Sequence, residues 1–310
     1  MAYCFAINDA SVEKGFRRIA VELLRRAIDQ SDRAAAGGGA QTQETIHELR
    51  KHCKKLRGLL RLVRPGFAGY RAENAAVRDA ARRLSPARDA EILVETFDRL
   101  VTPGKPVAAG VAAVRQRLAA RCEELARGQN AAAALTEFRD MMAEARQRAR
   151  RWELEAGGFK ALSGGLEETV ERARKAMRDA RRNASPWASP EAFHEWRKSA
   201  KDHWYHARLL TPVFPELMRP HAAVAEELGE VLGLHHDLSV LREAIGAGQD
   251  DAEAVAMLSD LAAAREAEAT ARGFALGGRL LAEEPAALAA RWRGYWKVWC
   301  AEGAAPCRPD

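Results

Sequence analysis

I-H-E-L-R-K-H-C-K-K-L-R-G-L-L-R-L-V-R, residues 46–64, decides how the rest of the chain reads. The stretch follows Gly37-Gly38-Gly39, contains no proline and stops at Pro65-Gly66. It predicts one helix, capped by Thr42 or Thr45 and ended by Pro65. Leu49, Cys53, Leu56, Leu59, Leu60 and Val63 recur at spacings of three and four and form one apolar stripe. His47, Arg50, Lys54, Arg57, Arg61 and Arg64 recur at the same spacings, so they stack on one side, flanked by Lys51 and Lys55. Glu48 is the only acid in the span. Like charges at helical spacing repel, so this column costs stability unless an anion neutralises it.

The stretch occurs twice. Residues 193–210 read F-H-E-W-R-K-S-A-K-D-H-W-Y-H-A-R-L-L. His47, Glu48, Arg50, Lys51, Lys54 and Arg61 reappear as His194, Glu195, Arg197, Lys198, Lys201 and Arg208, each 147 positions later. A second pair of blocks follows: L-S-P-A-R-D-A-E-I-L at 84–93 matches L-G-L-H-H-D-L-S-V-L at 232–241, offset by 148. Two matched blocks in one order at nearly the same offset argue for an internal duplication.

Composition sets the fold class. The 310 residues are rich in alanine, leucine, glutamate and arginine, and aromatics make up only 6%. That is helix-forming composition, and no stretch reads as a strand. The net charge of +6 points to polyanionic partners. Five cysteines, Cys4, Cys53, Cys122, Cys300 and Cys307, form no C-x-x-C pair. Cys53 lies on the apolar stripe, where a reduced buried thiol is expected, so a reducing, cytoplasmic setting fits. The N-terminus does not read as a signal peptide, and no apolar run is long enough to span a membrane.

The punctuation predicts helices from Asp9 or Ser11 to Ala36, from about Tyr70 to Leu84, and from Pro86 to Leu100. Further helices are expected over 107–127, 131–154, 166–183 and 191–210. Gly157-Gly158 and Gly164-Gly165 mark the middle of the chain. Pro212, Pro215 and Pro220 punctuate the entry to a helix ending near Leu234, and another carries His235-His236-Asp237 to about Ile245. The last two cover 250–272 and 285–301. The expectation is an all-α chain: two pseudo-symmetric antiparallel helical bundles, 1–155 and 156–310, of about six helices each. Between them would lie a basic central groove or pore.

H-x-x-R-K-x-x-K-K-x-R from His47, followed about forty residues later by L-x-x-x-R-D at Leu84–Asp89, resembles the CHAD family, the conserved histidine α-helical domain. The resemblance covers essentially the whole chain, since that family also has two such halves. It implies a non-enzymatic protein that binds inorganic polyphosphate between its halves and associates with polyphosphate granules. Carried over by matching residue, His47, Arg50, Lys51, Lys54, Lys55, Arg57 and Arg88 would contact the ligand from one half. His194, Arg197, Lys198 and Lys201 would do so from the other. Arg61, its counterpart Arg208, and His236, which stands where the first half has Arg88, complete the expected set. The chain departs from the family at Trp204-Tyr205, where Arg-Tyr is frequent, and it lacks the E-x-E-x-K strand of a fused triphosphate-tunnel domain. No cofactor or metal is implied.

The chemistry fits independently. Polyphosphate carries about one negative charge per unit, and a helix with cations every three to four residues offers charge about every 5 Å. Arg binds phosphate bidentately, and Lys acts as a mobile point charge. The rival readings are a nucleic-acid binder and a metal-dependent phosphohydrolase built on His236-Asp237. The first lacks a helix-turn-helix or stacking strip, although weak non-specific nucleic-acid binding is expected of any such surface. The second needs further ligands, and Arg88, in the matched position, cannot be one. Asp237 and Asp89 read instead as braces for basic neighbours. His203 and His206 read as exposed helix histidines. Trp292, Tyr295, Trp296 and Trp299 read as a core or interface stripe, and Arg146, Arg148, Arg150 and Arg151 as mixed surface.

Overall fold

The computed structural model describes residues 3–36, 42–84, 86–101, 108–127, 131–182 and 190–304. All regular structure among them is helical, as the composition implies. In chain order the helices are α1 (Val12–Ala36), α2 (Thr42–Leu62), α3 (Tyr70–Arg83), α4 (Pro86–Leu100), α5 (Ala109–Arg127) and α6 (Ala131–Ala149). Then come α7 (Lys160–Arg182), α8 (Pro190–Leu209), α9 (Pro215–Gly246), α10 (Ala252–Leu280) and α11 (Pro285–Ala304). Ser11 caps α1 by accepting from the Lys14 amide at 3.1 Å, and Asp251 caps α10 by accepting from the Ala254 amide at 2.9 Å.

The predicted stripe of α2 is its buried face. Leu49, Cys53, Leu56, Leu59, Leu60 and Val63 are all buried. They join residues from α1, α6, α7 and α11 in the largest core, which draws on both sides of residue 155. Trp292 and Trp299 are buried in that core, with Tyr295 and Trp296 packed against it. A second core joins α4 and α5 to the C-terminal part of α9 and to α10. A third joins α7, α8, the middle of α9 and α10. Cysteine 53 is a free buried thiol.

α10 runs on to Leu280, past the expected end at 272. Three further boundaries differ from the sequence expectation, each for a packing reason. Gly164 and Gly165 do not mark a break; they lie inside α7. A Cβ on Gly165 would overlap the Leu62 carbonyl, so the glycine lets α7 touch the end of α2. The helix expected to end near Leu234 runs on without interruption through His235, His236 and Asp237 as α9. Pro220 sits only a turn inside its start, where little backbone bonding is lost, and Leu228, Leu232, Leu238, Leu241 and Ile245 hold the rest to the cores. As a result the described part of 156–310 holds five long helices, against six in 1–155. Finally, α6 stops at Ala149, short of 154. The chain leaves the helix there to seat Trp152 on Phe16 at 5.1 Å, and the Glu155 amide donates to the Gly66 carbonyl at 2.9 Å.

Glycine substitutions test this packing. Gly165→Ala is expected to lower stability by about 2 kcal/mol or more through overpacking. Gly278→Ala, with open space at its Cβ inside α10, is expected to raise it by up to about 1 kcal/mol. Urea unfolding midpoints read both.

A candidate polyanion site where two basic helices cross

The two basic stretches form α2 and α8, and these helices pack on each other. Gly58 marks the crossing. A Cβ there would stand 2.7 Å from the Tyr205 Cβ, so only glycine permits this approach. One residue further along α8, the His206 Nε2–H donates to the Gly58 carbonyl at 3.1 Å. That bond fixes the tautomer of a fully buried ring, whose pKa burial lowers to about 3. His203 is equally buried, with its Nε2 2.8 Å from the His221 Nε2 and its ring stacked on Trp292. The expectation of exposed histidines at 203 and 206 is therefore corrected: both hold the core together.

Next to the crossing, cations from both helices meet. Lys54 still presents surface to solvent, yet protein crowds its ammonium. Burial, then Arg50 on its own helix and Lys201 and Arg197 on α8, lower its pKa to about 8. Burial and then Arg197 likewise lower Lys201, with Glu230, Asp237 and Glu226 opposing. The Arg197 Nε is buried without a hydrogen-bond partner. Among the described residues, no carboxylate lies within ion-pair distance of Lys54, Arg197 or Lys201.

α9 makes room for these side chains. Gly229 faces the Lys201 stem, with the Cγ 3.0 Å from where a Cβ would stand, and Gly233 faces the Arg197 Nε at 3.6 Å. Two glycines inside a helix cost about 1 kcal/mol each relative to alanine, so space here outweighs helix propensity. Arg197 and Lys201 line a cavity of about 690 Å³ with Arg99, Glu230, Asp237 and Arg265. Burial raises the Asp237 pKa, opposed first by Arg197 and then by His236, Arg99 and Lys201.

The remaining predicted residues divide by partner. Lys51 pairs with Glu48 and Lys198 with Glu195, each at 2.6 Å on its own helix. Arg57 donates to the Asn74 Oδ1 at 3.0 Å. Arg61 donates to the buried Asp202 carboxylate at 2.7 Å, and Arg172 stands 3.7 Å from the same group. Arg64 pairs with Glu168. The Arg208 guanidinium lies 5.0 Å from the Trp204 ring and 5.9 Å from that of Tyr3. Lys55 has its pKa lowered by burial first and then by Arg208. His47 and Arg50 are half-buried on α2. The His194 and His236 rings meet at 4.9 Å, and burial lowers both pKa values. His235 turns away and stacks on Phe193 at 4.0 Å. The side chains of Arg88 and Asp89 lie outside the described residues.

Sequence reasoning missed Asp202, Arg172 and the glycine pair. Asp202 was legible as a charge reversal, since it occupies the place Lys55 holds in the first copy. Gly229 and Gly233 were legible as a four-residue spacing on one helix face. Arg172, Arg99 and Arg265 carry no local signal, because folding alone brings them here. Among the described residues no three His, Cys, Asp or Glu side chains converge as a metal site. No described helix is long and apolar enough to cross a membrane.

An all-α chain with two basic helices crossed at a glycine matches one family. A model of the CHAD domain covers residues 11–246, and the chain belongs to that family. No curated protein and no solved structure matches it.

The Lys54 environment sets a pH dependence. Its folded pKa of about 8 lies below the unfolded value, about 10.4. Between these values the unfolded chain holds a proton that the folded one has shed, so Lys54 contributes stability that grows as pH rises from 8 towards 10. Cys53, pushed up to about 12 by burial, acts in the opposite direction. Comparing denaturant midpoints of wild type and Lys54→Met across pH 7–10 cancels Cys53. The stability difference is expected to move in favour of the wild type as pH rises.

Proposed function

We propose that this protein binds inorganic polyphosphate without catalysis, using the cations gathered at the α2–α8 crossing. One observation carries the reading: Lys54, Arg197 and Lys201 converge from two helices and, among the described residues, have no carboxylate within ion-pair distance, although Asp237 and Glu230 stand further off. Such a cluster raises the energy of the free protein and is relieved by an anion. Membership in the CHAD family supports the same ligand class. Arg50, Lys54, Arg197 and Lys201 form the centre of the site. His47, His194 and His236 flank it as hydrogen-bond donors, and Lys51 and Lys198 lie at its rim. The setting is cytoplasmic, at polyphosphate granules.

The site is built by duplication on this reading. α1 and α7 each pack on the basic helix that follows, as do α3 on α2 and α9 on α8. α9 then stands for α3 and α4 joined. Gly58 and Tyr205, which touch at the crossing, are 147 positions apart, the offset of the repeated motif. The Arg61–Asp202 pair on one side answers to Arg208 beside Lys55 on the other. Reciprocal contacts of this kind support a pseudo-two-fold axis through the crossing.

Titration with long-chain polyphosphate, beside duplex DNA of equal charge at two salt concentrations, tests the reading. The expected result is tighter polyphosphate binding that survives moderate salt. Equal binding of both, abolished by salt, would reduce the site to a generic basic surface. Lys54→Gln with Lys201→Gln is expected to weaken polyphosphate binding at least about tenfold and to flatten the log–log salt slope by about 1–2. In the free protein at low salt, melting should stay unchanged or rise. Binding at pH 8.5 is expected to take up protons, because the anion restores the charge on Lys54. Calorimetry in buffers of different ionisation enthalpy reads that uptake.

A further inference from the structure

The two sides of the α2–α8 crossing differ in charge. On one side Arg61 and Arg172 share the buried Asp202, and Arg57 is held by Asn74. Each of these side chains already has a protein partner, one carboxylate and one neutral amide between three cations. On the other side the position matching Asp202 is Lys55, and the position matching Arg61 is Arg208. Arg208 lowers the Lys55 pKa, second only to burial. Among the described residues, no carboxylate lies within ion-pair distance of either side chain.

Aromatic rings hold this second side in place. Arg208 lies 5.0 Å from the Trp204 ring, and Lys201 lies 6.0 Å from the same ring. Tyr3 faces Arg208 and donates from its hydroxyl to the Lys55 carbonyl at 2.7 Å. Cation–π contacts position a guanidinium without neutralising it, so its N–H groups stay available to phosphate. Trp204 occupies the place of Arg57 in the first copy. The exchange removes one charge but links Lys201 to Arg208 through a shared ring. Lys201 already belongs to the central cluster, so cations run without interruption from Arg197 through Lys201 to Arg208 and Lys55.

We infer that a long polyphosphate leaves the central cluster on one side only, across Trp204 to Arg208 and Lys55, and that this exit selects for long chains. The inference rests on the polyphosphate reading above. Arg208 lies seven residues, about 10 Å, beyond Lys201 along α8. A chain of three phosphates fills the centre and gains little there, whereas a longer chain gains both further cations. The asymmetry also orients the site: one end of the bound segment lies by cations already held by Asp202 and Asn74, and the other continues outward to cations without such partners.

The test uses the full chain, with tripolyphosphate and a polyphosphate of about one hundred units as probes. Arg208→Gln with Lys55→Gln keeps the side-chain volume and removes the charge. Long-chain affinity is expected to fall about tenfold and the salt slope to flatten by about 1–2, while tripolyphosphate affinity changes less than about twofold. Arg61→Gln with Asp202→Asn removes the opposite pair as a unit. That variant is expected to cost less than about twofold in long-chain affinity, since its charge was already neutralised. Melting curves establish that both variants fold, and Arg208→Lys should recover most of the long-chain affinity. Unchanged long-chain binding in the Arg208/Lys55 variant, or equal losses for both probes, overturns the one-sided exit while leaving the central site standing. Equal losses from the two variants would mean a two-sided path and overturn it as well. A wild type that binds neither probe overturns the polyphosphate reading and this inference together.

Discussion

Repulsion between like charges at the α2–α8 crossing is the constraint on which the rest of the structure depends. Each like-charge pair along a helix costs a few tenths of a kcal/mol, and crossing a second basic helix adds more. Against that, α2 buries Leu49, Leu56, Leu59, Leu60, Leu62 and Val63 almost completely. Burying one such side chain contributes about 1.5–3 kcal/mol. Apolar burial therefore outweighs the repulsion, and the cations stay together because their backbone has no alternative position. The glycines serve the same end: Gly58 lets the helices meet, Gly165 locks α7 onto the end of α2, and Gly229 and Gly233 let α9 close behind the arginine and lysine stems.

The three cores explain why the crossing does not spring apart. The largest contains residues from α1, α2, α3, α6, α7, α8, α9 and α11 and seals the side of α2 away from its cations. The second and third bring α4, α5 and α10 against α9 and frame the cavity beside Arg197 and Lys201. Where the protein has no need of free charge it supplies its own counterions, as in Glu48–Lys51, Glu195–Lys198 and Arg61–Asp202. Where it leaves cations without a paired carboxylate, at Lys54, Lys201 and Arg197, the lowered pKa values of the two lysines reflect burial first and neighbouring cations second.

Most of the fold was legible in the sequence. The apolar stripe of α2, the proline stops, the serine cap of α1 and the repeated H-E-x-R-K-x-x-K motif gave helix identity and placed the two basic helices. Glycine was the recurring obstacle. Gly164-Gly165 looked like punctuation, yet both lie inside α7 and face close neighbours. Single-sequence reasoning sees that a glycine weakens a helix but not what the missing Cβ makes room for. Histidine misled for a related reason. His203 and His206 sit at surface-like spacing beside charged residues, but the packing of α9 and α11 buries the first and the Gly58 carbonyl claims the second. At the site the motif named the cations but not their partners, because Asp202 and Asn74 reach Arg61 and Arg57 only across helices.

α9 contributes to each core in turn along its length: Met218 and Ala222 to the first, Leu228 and Leu232 to the third, Leu238, Leu241 and Ile245 to the second. It is an axle on which all three turn. Its Gly229–Gly233 stretch falls between firmly seated ends and lies directly behind Lys201 and Arg197. One helix therefore carries both a share of every core and the room in which those two side chains stand.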